Sequence, residues 1–163
     1  MITAVDTSVL LDIFFDEPAF RPPSLAALRA CLAAGPVVAC DIVWAEVRAV
    51  FGDDEAAARA LAGVPVTYSA IDAGAASRAG AAWGAYRRAG GPRGRVVADF
   101  LIGAHALEQA DRLLTRDRGF HRSAFAGLAI VDPSAAGGCL CDGRRGRNPD
   151  RTTRNSDRFA VPR

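Results

Sequence analysis

The sequence lacks lysine entirely, and all 20 of its basic side chains are arginines. A receiver domain needs a lysine in its site, so that class of protein is excluded. Long hydrophobic runs are missing too, since no apolar stretch reaches the roughly 18 residues of a membrane-spanning helix. The N-terminus has no basic segment followed by an apolar one, which argues against a secretion signal. We therefore predict a cytoplasmic protein that does not contact a membrane.

Cysteine is scarce, and its spacing gives no sign of a zinc site. Cys31 and Cys40 fall in apolar segments and are predicted to be small buried hydrophobes. Cys139 and Cys141 form a C-x-C pair with no histidine or second cysteine pair nearby, which is too little for structural zinc. A G-x-G-x-x-G motif after a strand is also absent, so a dinucleotide-binding domain is excluded.

Charge is spread unevenly along the 163 residues. Residues 1–133 contain 13 arginines against 15 acidic residues, whereas residues 134–163 contain seven arginines against three aspartates. A chain of this length has room for one domain with a substantial core. We predict a globular domain over residues 1–133 and a basic, Gly/Arg-rich, disordered tail over residues 134–163.

Short apolar segments alternate with helical patterns in the body of the chain, which indicates βαβ units and a parallel sheet. Strands are predicted at residues 2–5, 36–40, 65–68, 112–115 and 128–131. Helices are predicted at residues 8–15, 24–34, 42–51, 55–62, 72–89 and 96–109, with Asp41 and Asp53 as N-caps of two of them. The predicted fold is α/β, a three-layer α/β/α sandwich with a parallel central sheet of about five strands.

Four acidic residues stand out by their positions: Asp6, Glu46, Asp99 and Asp117. Asp6 and Asp117 follow the first and fourth strands, and the carboxyl end of a strand is where open α/β sheets place their ligand sites. Glu46 and Asp99 each lie in the apolar stripe of a helix, where a carboxylate is costly unless it finds a partner. Purely structural roles stay open for all four, namely helix capping, extension to solvent, or interaction with a helix dipole.

Convergence of the four acids would call for a cation, because carboxylates a few ångströms apart repel and would take up protons at neutral pH. Mg²⁺ and Mn²⁺ prefer oxygen ligands and keep several waters. Such a metal lowers the pKa of bound water and polarises a phosphoryl oxygen. An acid-lined site without a cysteine or histidine ligand set therefore points to phosphate chemistry.

Four pieces of the sequence resemble the PIN-domain ribonucleases, and most closely the VapC toxins of bacterial toxin–antitoxin pairs. The pieces are VDTSVLLD (5–12), AEV (45–47), ADFLIGAHAL (98–107) and LLTRDRGF (113–120). The likeness spans about residues 2–132. Family members of this kind usually stop near the last strand, so the basic tail is a departure that could contact RNA phosphates or have no role.

The resemblance implies an endoribonuclease that uses Mg²⁺, with Mn²⁺ able to substitute, and leaves a 5′-phosphate. It assigns metal binding and catalysis to Asp6, Glu46, Asp99 and Asp117. Thr115 matches the family hydroxyl that helps to place an acid or the attacking water, and Ser8 matches a small polar position near the first acid. The resemblance also implies a homodimer, an RNA substrate, and a cognate antitoxin whose tail occupies the acidic cleft.

Several arginines are candidates for contacting RNA. Two of them, Arg116 and Arg118, flank Asp117 and could bind the scissile phosphate. Four more surround the glycine-rich turn at residues 90–94, namely Arg87, Arg88, Arg93 and Arg95. Surface solvation explains these arginines equally well. His105 lies on a helix face, where a lone histidine is more often packed and hydrogen-bonded than catalytic.

The predicted function is that of a type II toxin, a metal-dependent endoribonuclease. Two alternatives stay open, a catalytically silent PIN-like RNA-binding protein and an RNA-processing nuclease that is not a toxin. A phosphatase of the haloacid dehalogenase type is disfavoured, because it would need a second aspartate two residues after Asp6, where this chain has Ser8.

Overall fold

The computed structural model describes residues 1–92, 97–117 and 119–134. Within these ranges the strands are β1 (Thr3–Val5), β2 (Val37–Ala39), β3 (Val66–Tyr68), β4 (Arg112–Leu114) and β5 (Ile130–Val131). The helices are α1 (Thr7–Phe14), α2 (Arg21–Ala34), α3 (Asp41–Val50), α4 (Asp54–Ala62), α5 (Ala73–Arg88), α6 (Val97–Gln109) and α7 (Phe120–Ala124). None of these helices has the length and apolarity needed to cross a membrane.

The strands form one parallel sheet in the order β3-β2-β1-β4-β5, and helices flank it to give a three-layer α/β/α sandwich. β1 lies in the middle, where Thr3 pairs with Val37 on one side and with Arg112 on the other. The chain fills one side of β1 with β2 and β3 before it fills the other side with β4 and β5. The strand order therefore reverses between β1 and β4, and such a switch point opens a ligand crevice at the carboxyl ends of the strands.

The core beside this switch point is aromatic. Phe100 of α6 is fully buried, and its ring centroid lies 4.8 Å from that of Phe120 and 5.5 Å from that of Tyr86. α6 also packs against β1, β4 and α3. Burial of so large a side chain fixes the position of α6, and with it the first turn of the helix, which carries Asp99.

The predicted strands and helices are all present, with ends shifted by a few residues. The second helix begins at Arg21 rather than at Ser24, and Pro22 and Pro23 lie in its first turn, where a missing backbone N–H costs no hydrogen bond. α7 was not predicted, because five residues are too few to show a helical period. Except for Ser134, the predicted tail lies outside the described residues and stays a prediction.

The prediction that Asp41 is an N-cap was wrong. Cys40 is the N-cap residue of α3, and Asp41 is the first residue of that helix. Its carboxylate instead accepts hydrogen bonds from the Tyr68 hydroxyl and, at 2.7 Å, from the Ile71 amide, so it joins α3 to the end of β3 and to the segment that follows it. The predicted cap at Asp53 is confirmed, since its side chain accepts hydrogen bonds from two amides in the first turn of α4.

Gly103 allows α6 to pack closely against Phe125, the residue after α7, and we expect Gly103→Ala to destabilise the fold by about 1–3 kcal/mol. A Cβ atom at this position would lie 2.3 Å from Cε2 of Phe125, whose side chain is buried and has little room to move. Gly80→Ala on α5 is the matched control, because its Cβ would meet nothing within 4 Å. This control should raise stability by about 0.5–1 kcal/mol. Urea unfolding midpoints of the two variants would contradict this account if they moved in the same direction.

Candidate active site

Asp6 directly follows β1 at the switch point and is the N-cap residue of α1. Its side chain makes no capping hydrogen bond, so the capping role left open for it does not apply. Oδ2 instead accepts hydrogen bonds from the Ser8 hydroxyl at 2.8 Å and from the Thr115 hydroxyl at 2.6 Å. Two hydroxyls therefore fix the orientation of this carboxylate at the carboxyl edge of the sheet.

Thr115 connects the ends of β1 and β4. Its side chain is fully buried, and its Oγ1 donates to Asp6 and accepts a hydrogen bond from the Asp117 amide at 3.0 Å. Asp117 in turn accepts hydrogen bonds at Oδ1 from the Gly119 and Phe120 amides, each at 2.9 Å. Asp117 thus helps to start α7, which is the structural role left open for it. Its backbone amide and the Asp6 carboxylate both form hydrogen bonds with the Thr115 hydroxyl.

Glu46 reaches the same neighbourhood from α3 through Thr7, which was not among the residues predicted for the site. Thr7, which follows Asp6 in the chain, is buried and donates its hydroxyl hydrogen bond to Oε2 of Glu46. The half-buried Glu46 thereby has the partner that a carboxylate in an apolar stripe requires. The available signal for Thr7 was its position between two candidate residues, Asp6 and Ser8.

Asp99 is placed at this edge by topology. It lies in the first turn of α6 and is half-buried. α6 leads into β4, and a helix that joins parallel strands runs opposite to them, so its N-terminus lies at the carboxyl edge of the sheet. The structure therefore links Asp6, Thr115 and Asp117 by hydrogen bonds. Glu46 is bound to the residue next to Asp6. Asp99 lies at the same edge of the sheet.

The donor atoms suit a hard divalent cation, although the described side chains are not gathered around one point. Among the residues described, no group of three or more acids, histidines or cysteines could hold a metal ion. Mg²⁺ needs fewer protein ligands than that, since it is commonly bound through one or two carboxylates and keeps several waters. Asp6, with two hydroxyl donors on one oxygen, fits such a site. Convergence of all four acids on one ion stays a prediction.

The candidate arginines have different surroundings. Arg116 points toward Asp12 of α1, with Nε 2.8 Å from Oδ2, and one third of its side chain remains exposed. Arg87 donates a hydrogen bond to the Gly91 carbonyl at 3.3 Å, which holds the turn after α5. The remaining predicted contacts at Arg93, Arg95 and Arg118 lie outside the described residues.

His105 is buried and contacts the segment after β3. Its Nε2 lies 3.0 Å from the Ser69 hydroxyl, and only 1% of the residue is exposed. Burial lowers its pKa, while attraction to Asp41 and Asp72 opposes that shift. His105 is therefore a packed and hydrogen-bonded histidine, the role that its place on a helix face favoured over a catalytic one.

We expect the free energy of unfolding to fall as the pH is lowered below about 6.5, the pKa of an unperturbed histidine. The unfolded chain takes up a proton at His105 there, whereas the folded chain does so only at lower pH. The contribution of His105 to the free energy of unfolding is complete above about pH 6.5, and it is lost as the pH falls through the pKa of His105 in the folded state. Urea midpoints at pH 7.5 and 5 would measure it. His105→Gln, which keeps a donor for Ser69, should show a smaller decline, and an equal decline would contradict the assignment.

The sequence matches the family model of the PIN domain over residues 3–126. No similar sequence was found among curated proteins. The match covers the whole sheet except β5, together with every residue of the candidate site.

Solved structures with the same fold come from several bacteria. VapBC2 of Rickettsia felis, bound to a promoter DNA fragment, has a TM-score of 0.64 at 18% identity over 81% of this chain and 98% of that one. A toxin–antitoxin complex of Klebsiella pneumoniae has a TM-score of 0.53 at 24% identity over 80% and 97%. VapC20 of Mycobacterium tuberculosis, a toxin that cleaves the sarcin–ricin loop, has a TM-score of 0.52 at 19% identity over 78% and 98%. At these identities the likeness shows a shared fold.

Proposed function

This chain belongs to the PIN-domain family, and from that membership we propose that it is an endoribonuclease dependent on Mg²⁺ or Mn²⁺. We propose further that it acts as the toxin of a type II toxin–antitoxin system. The observation that carries the proposal is the hydrogen bond of the buried Thr115 hydroxyl to Asp6, at the point where the strand order reverses. A hydroxyl that orients a carboxylate at this crevice is what a nuclease site built on this fold needs.

The residues that would hold the cation are Asp6, Glu46, Asp99 and Asp117. When bound, a divalent cation polarises a phosphoryl oxygen and lowers the pKa of the water beside it. Thr115 and Ser8 hold Oδ2 of Asp6, and Thr7 holds Oε2 of Glu46, so both carboxylates keep fixed directions. Preset directions matter because catalytic groups that need no reorganisation at the moment of reaction stabilise the transition state most effectively.

The proposed substrate is RNA, and the proposed partners are a second copy of this chain and a cognate antitoxin. The Klebsiella pneumoniae structure is a toxin–antitoxin complex, and the Mycobacterium tuberculosis protein is a toxin that cleaves the sarcin–ricin loop. In this chain, residues 1–133 carry more acidic residues than arginines. An antitoxin tail that occupies the acidic cleft would exclude substrate from it.

Incubation of the purified chain with total bacterial RNA in Mg²⁺, followed by 5′-end mapping, tests the proposal. We expect discrete cleavage products, loss of cleavage in EDTA, and recovery when Mg²⁺ or Mn²⁺ is added. Expression in bacteria should arrest growth, and co-expression of a cognate antitoxin should relieve the arrest. Binding of RNA without cleavage in either metal would instead favour a silent RNA-binding protein, and cleavage without growth arrest would favour an RNA-processing nuclease.

A further inference from the structure

Asp12 is a buried carboxylate that the proposed metal site does not use. It lies on α1, is 3% exposed, and is the one buried acid among the described residues. A carboxylate in that position is costly unless it is paired. The Ser24 hydroxyl of α2 donates to Oδ2 of Asp12 at 2.6 Å, and Nε of Arg116 lies 2.8 Å from the same oxygen.

Arg116 is held on two sides. Its Nε is not aligned for a hydrogen bond, so its contact with Asp12 is an ion pair. Its guanidinium carbon lies 4.3 Å from the ring centroid of Phe20, a distance at which the ring attracts the cation. A side chain fixed by a buried charge and by a ring has few alternative positions.

The contacts of Arg116 with Asp12 and Phe20 affect the candidate site because of where Arg116 lies in the chain. Arg116 lies between Thr115, which donates to Asp6, and Asp117, whose amide donates to Thr115. The Arg116 amide itself lies 3.5 Å from Oγ of Ser8, which is on the same face of α1 as Asp12, four residues earlier. α1 therefore contacts this three-residue segment through both the backbone and the side chain of its middle residue.

We propose that Asp12 is a positioning residue: by holding Arg116, it fixes the segment from Thr115 to Asp117 against α1 and so sets the direction of the site hydroxyl and of Asp117. The inference rests on the proposed function for its catalytic consequence. Its structural consequence, an ordered segment, can be measured without metal or RNA. The side-chain contacts of Asp12 are with Ser24 and Arg116, neither of which is a candidate metal ligand.

Amide hydrogen exchange of the metal-free, full-length protein tests the ordering directly. In Asp12→Asn and in Arg116→Gln, the Asp117, Gly119 and Phe120 amides should exchange at least about tenfold faster, because their hydrogen bonds depend on the fixed segment. Ser24→Ala is the matched control, since it removes the other partner of Asp12 and leaves the ion pair in place. Unchanged exchange in Asp12→Asn, or an equal increase in Ser24→Ala, would overturn the inference.

Steady-state cleavage of RNA then separates positioning from substrate binding. We expect kcat to fall about tenfold in Asp12→Asn and in Arg116→Gln, with KM nearly unchanged, since residues that support a site typically cost this much. The double variant should be no slower than either single variant, because the two residues act as a unit. A rise in KM with unchanged kcat would show that Arg116 binds substrate directly and would overturn the positioning role.

The outcomes also distinguish this inference from the proposed function. If the wild-type chain cleaves no RNA but the exchange pattern is as expected, the proposed function fails and the ordering of the segment by Asp12 stands. If the wild-type chain cleaves RNA and Asp12→Asn cleaves equally well, the inference fails and the proposed function stands.

Discussion

Asp6→Asn is expected to reduce RNA cleavage about a thousandfold while the fold is retained, since even outer-shell partners of a metal are worth 10–100-fold. Asparagine has the shape of aspartate, and its carbonyl oxygen can accept the hydrogen bonds from Ser8 and Thr115. The lost negative charge is what a divalent cation requires. The loss should therefore appear in kcat and in metal affinity together.

Single-turnover cleavage in Mg²⁺, with a thermal unfolding curve for each protein, measures this effect. Asp54→Asn is the matched control, because it removes the charge of an exposed aspartate that pairs with Arg48 on α3. The control should cleave within about twofold of the wild type, since surface ion pairs contribute little. Cleavage by Asp6→Asn at a rate near that of the control would rule out a site centred on Asp6.

Thr115→Val is expected to slow cleavage about a hundredfold, the upper range for a residue that orients a metal ligand. Valine keeps most of the volume of threonine but removes the donor to Asp6 and the acceptor of the Asp117 amide. Because Thr115 is fully buried, the amide would be left without a partner, and the fold should lose about 1–3 kcal/mol of stability as well.

Thr115→Ser separates the two effects of that substitution. Serine keeps the hydroxyl and removes one buried methyl group, so stability should fall by about 1 kcal/mol while cleavage stays within a few-fold of the wild type. Urea unfolding and cleavage assays on the same preparations compare both quantities. If the serine variant were as slow as the valine variant, the contribution of Thr115 would be packing rather than hydrogen bonding.

The edge of the sheet where the site lies could be predicted from the sequence. Asp6 ends a short apolar run and Asp117 follows another, and in a parallel sheet the carboxyl ends of strands share one edge. The contact between Asp6 and Thr115 joins residues 109 positions apart. It depends on the pairing of β1 with β4, which the alternation of strands and helices does not specify and which the structure shows. The sequence therefore indicated the edge of the sheet, and the strand order came from the structure.

The side-chain contacts of α1 could not be predicted in the same way. The hydrogen bond of Thr7 to Glu46 and the ion pair of Asp12 with Arg116 depend on how α1 packs against its neighbours. Side-chain spacing within one helix carries no information about the helix that will face it. Asp41 failed as an N-cap for a similar reason, since its tertiary partners at the end of β3 and just after it outweighed the local preference for capping.

We propose that acids distant in the chain share one divalent cation at the carboxyl edge of the sheet. Anomalous diffraction from crystals soaked in Mn²⁺ would locate that cation. We expect a single strong peak within coordination distance of Asp6 and of at least one of Glu46, Asp99 and Asp117. A protein that cleaves RNA in Mn²⁺ but shows no peak beside Asp6 would contradict it.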